Sequence, residues 1–197
     1  MPWELRYYYP EVYFSKETAE NYEKSRRMKQ VQQEMTAFAA KLLKSRRISK
    51  GRVLDVGCGT GFSTEVLKEK GYSVVGIDVS QPMLDIAKAK GLQVKKADMR
   101  SIPFPDESFS AIVCISALQW ITGKSREEII ANYQKTASEF YRVLKKKGVA
   151  VVQFYPKTKE ETRIVERAFK KAGFKKSTHV FMPGTREEKV FWVLEKD

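Results

Sequence analysis

The 197-residue chain is poor in cysteine, has a single histidine, and contains no apolar run long enough to cross a membrane. Its two cysteines, Cys58 and Cys114, have no partner at metal-ligand spacing and offer no disulfide framework, so their expected role is packing. The longest apolar runs, such as 111–118, fall far short of the roughly 20 residues a membrane helix needs. The opening Met1-Pro2-Trp3-Glu4 lacks a basic stretch followed by an apolar one, so no secretory signal is expected. These absences set the expectation of a reduced, cytoplasmic setting without a membrane partner. Acidic residues are also scarce relative to basic ones: 24 Asp and Glu stand against 37 Lys and Arg, for a net charge of +13. Basic clusters recur at Arg26-Arg27-Lys29, at 44–52, at Lys145-Lys146-Lys147 and at 170–176. Such an excess favours a polyanion as partner, nucleic acid above all. The plainer alternative is a solvated lysine-rich surface, which normally carries matching glutamate.

The chain then shows a regular alternation. The first fifty residues read as helical, with Val31, Met35, Phe38 and Leu42 on one helix face, preceded by an aromatic group of Trp3, Tyr7, Tyr8, Tyr9, Tyr13 and Phe14. Strands are expected at 52–56, 73–77, 93–97, 109–116, 149–154, 177–182 and 189–195. Helices are expected at 62–70, 82–90, 126–145 and 159–172, and Pro183-Gly184-Thr185 supplies the turn of a terminal hairpin. This order implies an α/β domain: one doubly wound, seven-stranded, mainly parallel sheet of Rossmann-like type, with a C-terminal antiparallel hairpin and an N-terminal helical segment. A single domain over 1–197 is expected, with 1–50 as a helical lid or substrate segment, 51–157 as a cofactor-binding core and 158–197 as the final helix and hairpin. Ligands then bind beyond the carboxyl ends of the strands, at the switch point that the first strand should occupy.

Gly57, Gly59 and Gly61 follow that first strand and open a helix, where a backbone must turn sharply and lie close to a ligand. A Gly-rich turn alone serves many cofactors. The Gly-x-Gly-x-Gly spacing, however, makes no cradle for a pyrophosphate. Asp55 lies two residues before the turn, where a carboxylate suits an ammonium group or its water. Asp78 ends the second strand, placed to accept ribose hydroxyls, and Asp98 ends the third beside Met99. Met83 and Met99 are available to pack a purine. Each acid alone reads equally as a cap or turn residue. Three of them, at three successive strand ends around one glycine turn, point to S-adenosyl-L-methionine (SAM).

The ensemble over 50–155 resembles the class I SAM-dependent methyltransferases. The strings Cys114-Ile115-Ser116-Ala117-Leu118-Gln119-Trp120 and Val152-Gln153-Phe154-Tyr155-Pro156-Lys157 go further. With Tyr13-Phe14, Tyr22, Ser25, Arg27, Gln32 and Met35-Thr36 near the start and Lys171-Ala172-Gly173-Phe174 near the end, they are similar to the eukaryotic and archaeal family that forms 7-methylguanosine in small-subunit ribosomal RNA. The resemblance implies SAM as cofactor, held by Asp55, Gly57, Cys58, Gly59, Gly61, Asp78, Val79, Met83, Asp98, Met99 and Ser116, with Tyr22 and Arg27 closing over it. It implies small-subunit rRNA, or its precursor particle, as substrate. It also implies a small zinc-binding activator protein, pairing with the sheet edge near 92–97, where Lys95-Lys96 would otherwise guard the edge.

Guanine N7 is a lone-pair acceptor, so its methylation removes no proton and requires no general base. The need is for in-line placement, roughly 3–3.5 Å from the methyl. Neither a base nor a metal site is therefore expected, and His179 reads first as a strand histidine. Trp120, Tyr155 and Phe154 lie just past the fourth and fifth strands and are the candidates for positioning an extruded base by stacking, or else for packing. Two other readings stay open: a small-molecule methyltransferase acting on quinone or lipid precursors, and a SAM-binding ribosome-assembly factor acting as a scaffold.

Overall fold

A computed structural model describes residues 13–197; Trp3, Tyr7, Tyr8 and Tyr9 lie outside the described residues. The elements in order are α1 (Lys16–Lys24), α2 (Arg26–Ser45), β1 (Arg52–Val56), α3 (Phe62–Glu69), β2 (Ser73–Asp78), α4 (Gln81–Ala89), β3 (Val94–Lys96), β4 (Phe109–Ile115), α5 (Arg126–Val143), β5 (Leu144–Gln153), α6 (Lys159–Ala172), β6 (Lys175–Phe181) and β7 (Lys189–Glu195). A 3-10 turn at Leu118–Trp120 follows β4.

The seven strands form one sheet in the order β3-β2-β1-β4-β5-β7-β6. The first five are parallel, and β7 runs antiparallel to both β5 and β6. The α/β class, the doubly wound sheet and the terminal hairpin are as the alternation implied. β1 lies between β2 and β4, so the chain reverses its direction of travel across the sheet at β1 and leaves a crevice beyond its carboxyl end.

Both faces of the sheet are covered, which explains why its central strands are almost uniformly apolar. On one face Met35, Ala39 and Leu43 of α2 and Leu67 of α3 pack on Val53, Val74, Val113, Val151 and Val193. On the other, Tyr133, Ala137 and Phe140 of α5 and Val165 and Phe169 of α6 pack on Leu54, Ile112, Val152 and Leu194. Helix ends are set by short polar side chains: Ser80 caps α4 with Pro82 in its first turn, Ser125 caps α5 and Thr158 caps α6. Gly173, in the left-handed conformation, stops α6.

Three boundaries differ from expectation. The N-terminal helix is broken at Ser25, whose amide donates to Tyr22 O and closes α1 while its hydroxyl accepts from Met28 N and opens α2. Helix α5 stops at Val143, and β5 begins at once with Leu144. Leu144 pairs with Phe109 and Val149 with Ala111, so five residues of β5 span two of β4 and Lys145, Lys146 and Lys147 bulge outward. Strand β3 is only three residues long.

Candidate active site

The crevice beyond β1 is a cleft of about 710 Å³, a size that suits a nucleoside-sized ligand with room beyond it. Its first wall is the glycine turn. Gly57 and Gly59 both have positive φ, and a Cβ on Gly57 would lie 2.2 Å from the Ala117 Cβ, whereas one on Gly59 would meet nothing within 4 Å. Gly57 thus lets the segment after β4 approach, and Gly59 leaves space in the cleft. The Gly59 amide donates to Asp78 Oδ2 at 2.9 Å, and the Ser80 amide donates to Oδ1 at 2.9 Å. Burial pushes the Asp78 carboxyl up, while these amide bonds pull it down. The carboxylate is aimed by the backbone and keeps lone pairs for a diol.

Asp55 behaves differently. It shares the face of β1 that α3 covers, is 1% exposed, and accepts hydrogen bonds from Ser63 Oγ and Thr64 Oγ1, both at 2.6 Å. Burial lifts its carboxyl to about 6. It anchors α3 to β1 and does not line the cleft; nor does Gly61. Asp98 lines the cleft beside Met99, but its carboxylate accepts from the Arg100 amide and guanidinium, which outweigh its burial and hold it below the usual range. Cys58, Val79, Met83 and Ser116 also line the cleft.

The N-terminal helices close one side. The Tyr22 ring stacks on Phe62 at 5.6 Å, Phe14 meets Tyr22 and Trp120 edge-on, and Tyr13 lies 5.2 Å from Trp120. Ser80 Oγ donates to Phe14 O at 3.1 Å, tying this roof to the loop that carries Asp78. Lys90 Nζ lies 2.7 Å from Glu23 and 3.5 Å from Glu65 and sits over the Phe62 ring, fastening α1 to α3 and α4. Arg27 lines the cleft from the first turn of α2.

At the far end, Ser116 has φ +55 and is held by buried Gln153: its amide donates to Gln153 O at 2.9 Å and its hydroxyl to Oε1 at 3.0 Å. Gln119 Nε2 donates to Ser116 O, and its Oε1 accepts from Tyr155 N. Trp120 and Tyr155 face the cleft. Phe154, next in sequence to Tyr155, alternates inward and packs edge-on against Trp192 at 5.2 Å. Tyr155 is 43% exposed, with Lys189 Nζ 5.8 Å from its ring. His179 lies elsewhere, against Arg46 and Ser177. Lys124, Arg186 and Lys189 also line this end, and the reading from sequence missed all three. The signal for Gln153 was available, because it is the lone polar residue of an apolar strand interior; the rim cations carried none, since a loop lysine looks the same wherever the loop folds.

Comparison with known proteins agrees with this geometry. Residues 54–152 match the methyltransferase domain family. The chain is 36% identical to the 18S rRNA (guanine-N7)-methyltransferase of Bos taurus, over 93% of this chain and 67% of that protein. It is 30% identical to the corresponding enzyme of Schizosaccharomyces pombe, over 94% of this chain and 70% of the relative. Among solved structures, a SAM-dependent methyltransferase from Methanosarcina mazei superposes with a TM-score of 0.64 at 18% identity, covering 79% of this chain and 96% of that one, a likeness of fold.

Proposed function

Because this chain belongs to the methyltransferase domain family, and within it to the family of the 18S rRNA (guanine-N7)-methyltransferases, we propose that it transfers the methyl group of SAM to N7 of a guanine in small-subunit rRNA. What carries this reading is one continuous cleft, with a glycine turn and an aimed carboxylate at one end and, at the other, half-buried Trp120 and exposed Tyr155 beside Lys124, Arg186 and Lys189.

The residues at the first end fit SAM: the open space at Gly59 and the backbone-aimed Asp78 suit a ribose laid against the turn. When bound, SAM supplies an electrophilic methyl group on a sulfonium. Asp78 accepts from the ribose hydroxyls, while Val79, Met83, Asp98 and Met99 enclose the adenine. Gly57, Cys58 and Ser116 border the methionine portion. Tyr22 and Arg27 close over it from the N-terminal helices. Asp55 and Gly61 act from behind, by fixing α3 and the turn. Trp120 and Tyr155 stack on the extruded guanine, and Phe154, packed on Trp192, anchors the backbone beside Tyr155. Guanine N7 loses no proton, so these side chains have only to orient the base and exclude water.

A small zinc-binding activator is the further partner we propose, adding a strand along β3. That strand is a sheet edge and carries the exposed pair Lys95-Lys96. Stability and activity of the lone chain equal to those of the mixture would count against it. The buried free thiols Cys58 and Cys114 suit a reduced, cytoplasmic setting, and no helix among the described residues is long and apolar enough to cross a membrane.

The deciding experiment incubates the chain with SAM and small-subunit rRNA, alone and with its activator, and digests the RNA for mass spectrometry. New 7-methylguanosine is expected, and none with Asp78→Ala. SAM turnover on quinone precursors with unmodified RNA would overturn the substrate. An Asp78→Ala protein that still restores ribosome assembly would favour a scaffold.

A further inference from the structure

The excess positive charge is not centred on the cleft. Of the five connections that lead from a helix into a strand, four carry it: 44–52 into β1, 68–73 into β2, 144–148 into β5 and 170–176 into β6, while the fifth, 90–93 into β3, holds only Lys90, which is paired with Glu23 and Glu65. The four together hold 14 of the 37 Lys and Arg but one of the 24 Asp and Glu, which leaves 23 of each sign in the rest of the chain. The net +13 of the protein therefore resides in these four connections. β1, β2 and β5 are parallel, and β6 runs with β5 because β7 is antiparallel to both. All four connections enter the sheet at its amino-terminal edge, the pole opposite the cleft. From β2 to β6 there are five steps between neighbouring strands, or about 24 Å at the usual spacing.

Part of this charge has a local explanation. Lys44, Lys68, Lys170 and Lys171 occupy the last turns of their helices, where a cation offsets the helix dipole. Arg47, Lys50, Lys145, Lys146, Lys147 and Lys175 lie outside any helix, and that effect does not reach them. The Lys145–Lys147 bulge costs β5 its pairing with β4 over four residues, 145–148, and presents three exposed lysines. Of the acids at this pole, Asp106, Glu107, Glu195 and Asp197 are paired with Arg142, Lys196, Arg46 and Lys175, and Glu69 is the one acid on the four connections. Among the described residues Arg47, Lys50 and Lys145–Lys147 form no ion pair.

We propose that this pole is a second RNA-docking surface, which grips the phosphate backbone of a segment of the substrate RNA other than the one whose guanine enters the cleft. The proposal rests on the reading of the substrate as RNA. β4 alone is seven residues long, roughly 23 Å from end to end at the rise of a strand. The phosphates beside a base held in the cleft therefore cannot also reach the bulge. The protein then recognises a folded RNA with two backbone segments on opposite sides of it.

The test compares Lys145→Gln/Lys146→Gln/Lys147→Gln with a triple of equal charge from the mid-helix faces, Lys135→Gln/Arg163→Gln/Arg167→Gln. Binding of a small-subunit rRNA transcript is measured from 50 to 300 mM salt. The bulge variant should bind about tenfold more weakly near 100 mM. The slope of log affinity against log salt should fall by about 2–3, one phosphate per lysine. KM for RNA should rise while kcat at saturating RNA and SAM affinity hold. Equal losses in both triples, or wild-type affinity in the bulge variant, would overturn the surface. Lost binding to phosphatidylserine vesicles with RNA binding intact would reassign it to a membrane. Wild-type protein that neither binds nor methylates the transcript would instead overturn the RNA reading beneath it.

Discussion

The two ends of the cleft are built by opposite means. At the glycine-turn end, the acids are buried or backbone-bonded and sit at the ends of regular strands; Asp78 has two amide donors and Asp55 two hydroxyls. At the aromatic end, cations sit on connections, Lys124 before α5 and Arg186 and Lys189 at the hairpin turn and the start of β7, beside the acids Glu128 and Glu187. A rigid strand end aims the Asp78 carboxylate at a ligand that is always the same size, with Asp55 holding α3 behind it. Long, solvated side chains on loops tolerate a polymer whose phosphates arrive at varied positions. The first design costs stability, because buried carboxyls must be desolvated; the second costs almost none.

Substitutions that separate these costs sharpen the contrast. Asp78→Ala removes the charged acceptor for the ribose, and SAM affinity should fall by roughly 10²–10⁴-fold, two charge-assisted bonds at about 1.5–3 kcal/mol each. Calorimetry reads this directly, and an affinity within threefold of wild type would break the assignment of the two ends. Asp55→Asn should act on stability. The Asp55 carboxyl is at about 6 when folded, against 3.8 for the unperturbed group. The folded state therefore holds its proton more tightly than the unfolded chain. The stabilising contribution is complete below pH 4 and lost as pH rises through 6, a total of up to about 3 kcal/mol. The Asn variant should lose that portion of the pH dependence, read as the difference between urea melts at pH 4 and pH 7.

Gly57→Ala sets a methyl 2.2 Å from Ala117 Cβ in a left-handed backbone. A loss of about 1–3 kcal/mol in the same melts is expected, with SAM affinity falling alongside. The smallest effect belongs to the other end. Arg186→Gln with Lys189→Gln should leave melting and SAM affinity unchanged while KM for RNA rises a few-fold and the salt slope falls by about 1 for each phosphate no longer neutralised. A fall in melting temperature from that pair would show that the two ends are not independent.

Much of this was legible beforehand, for reasons that differ by element. The strand and helix alternation from β1 to α4 is plain because each unit is short and punctuated by glycine at 51, 57, 71 and 91. The α5–β5 boundary is not, because Leu144 and the three lysines after it suit a helix as well as a strand, and no breaker comes before Gly148. The direction of Asp55 was hidden for another reason. In a strand buried on both faces, the polar and apolar alternation that tells inside from outside is missing, and only the arrival of Ser63 and Thr64 on α3 turns the carboxylate away from the cleft. Phe154 and Tyr155 pose the same difficulty. Adjacent residues must point to opposite sides, and the pairing of β5 with β7, which places Trp192 behind Phe154, decides which is which.

Ser25 serves both as the end of α1 and as the start of α2, so the two helices meet at a single residue. Such a joint acts as a pivot between stiff levers. From Ser25 to Phe14 the arm is roughly 15 Å at 1.5 Å per residue, and a turn of about 20° at the pivot would sweep its tip through some 5 Å. The 3.1 Å bond from Ser80 to the Phe14 carbonyl cannot stretch that far. The Lys90–Glu23 ion pair and the Tyr22–Phe62 stack lie along the same arm, so a swing of that size would have to break all of these contacts together.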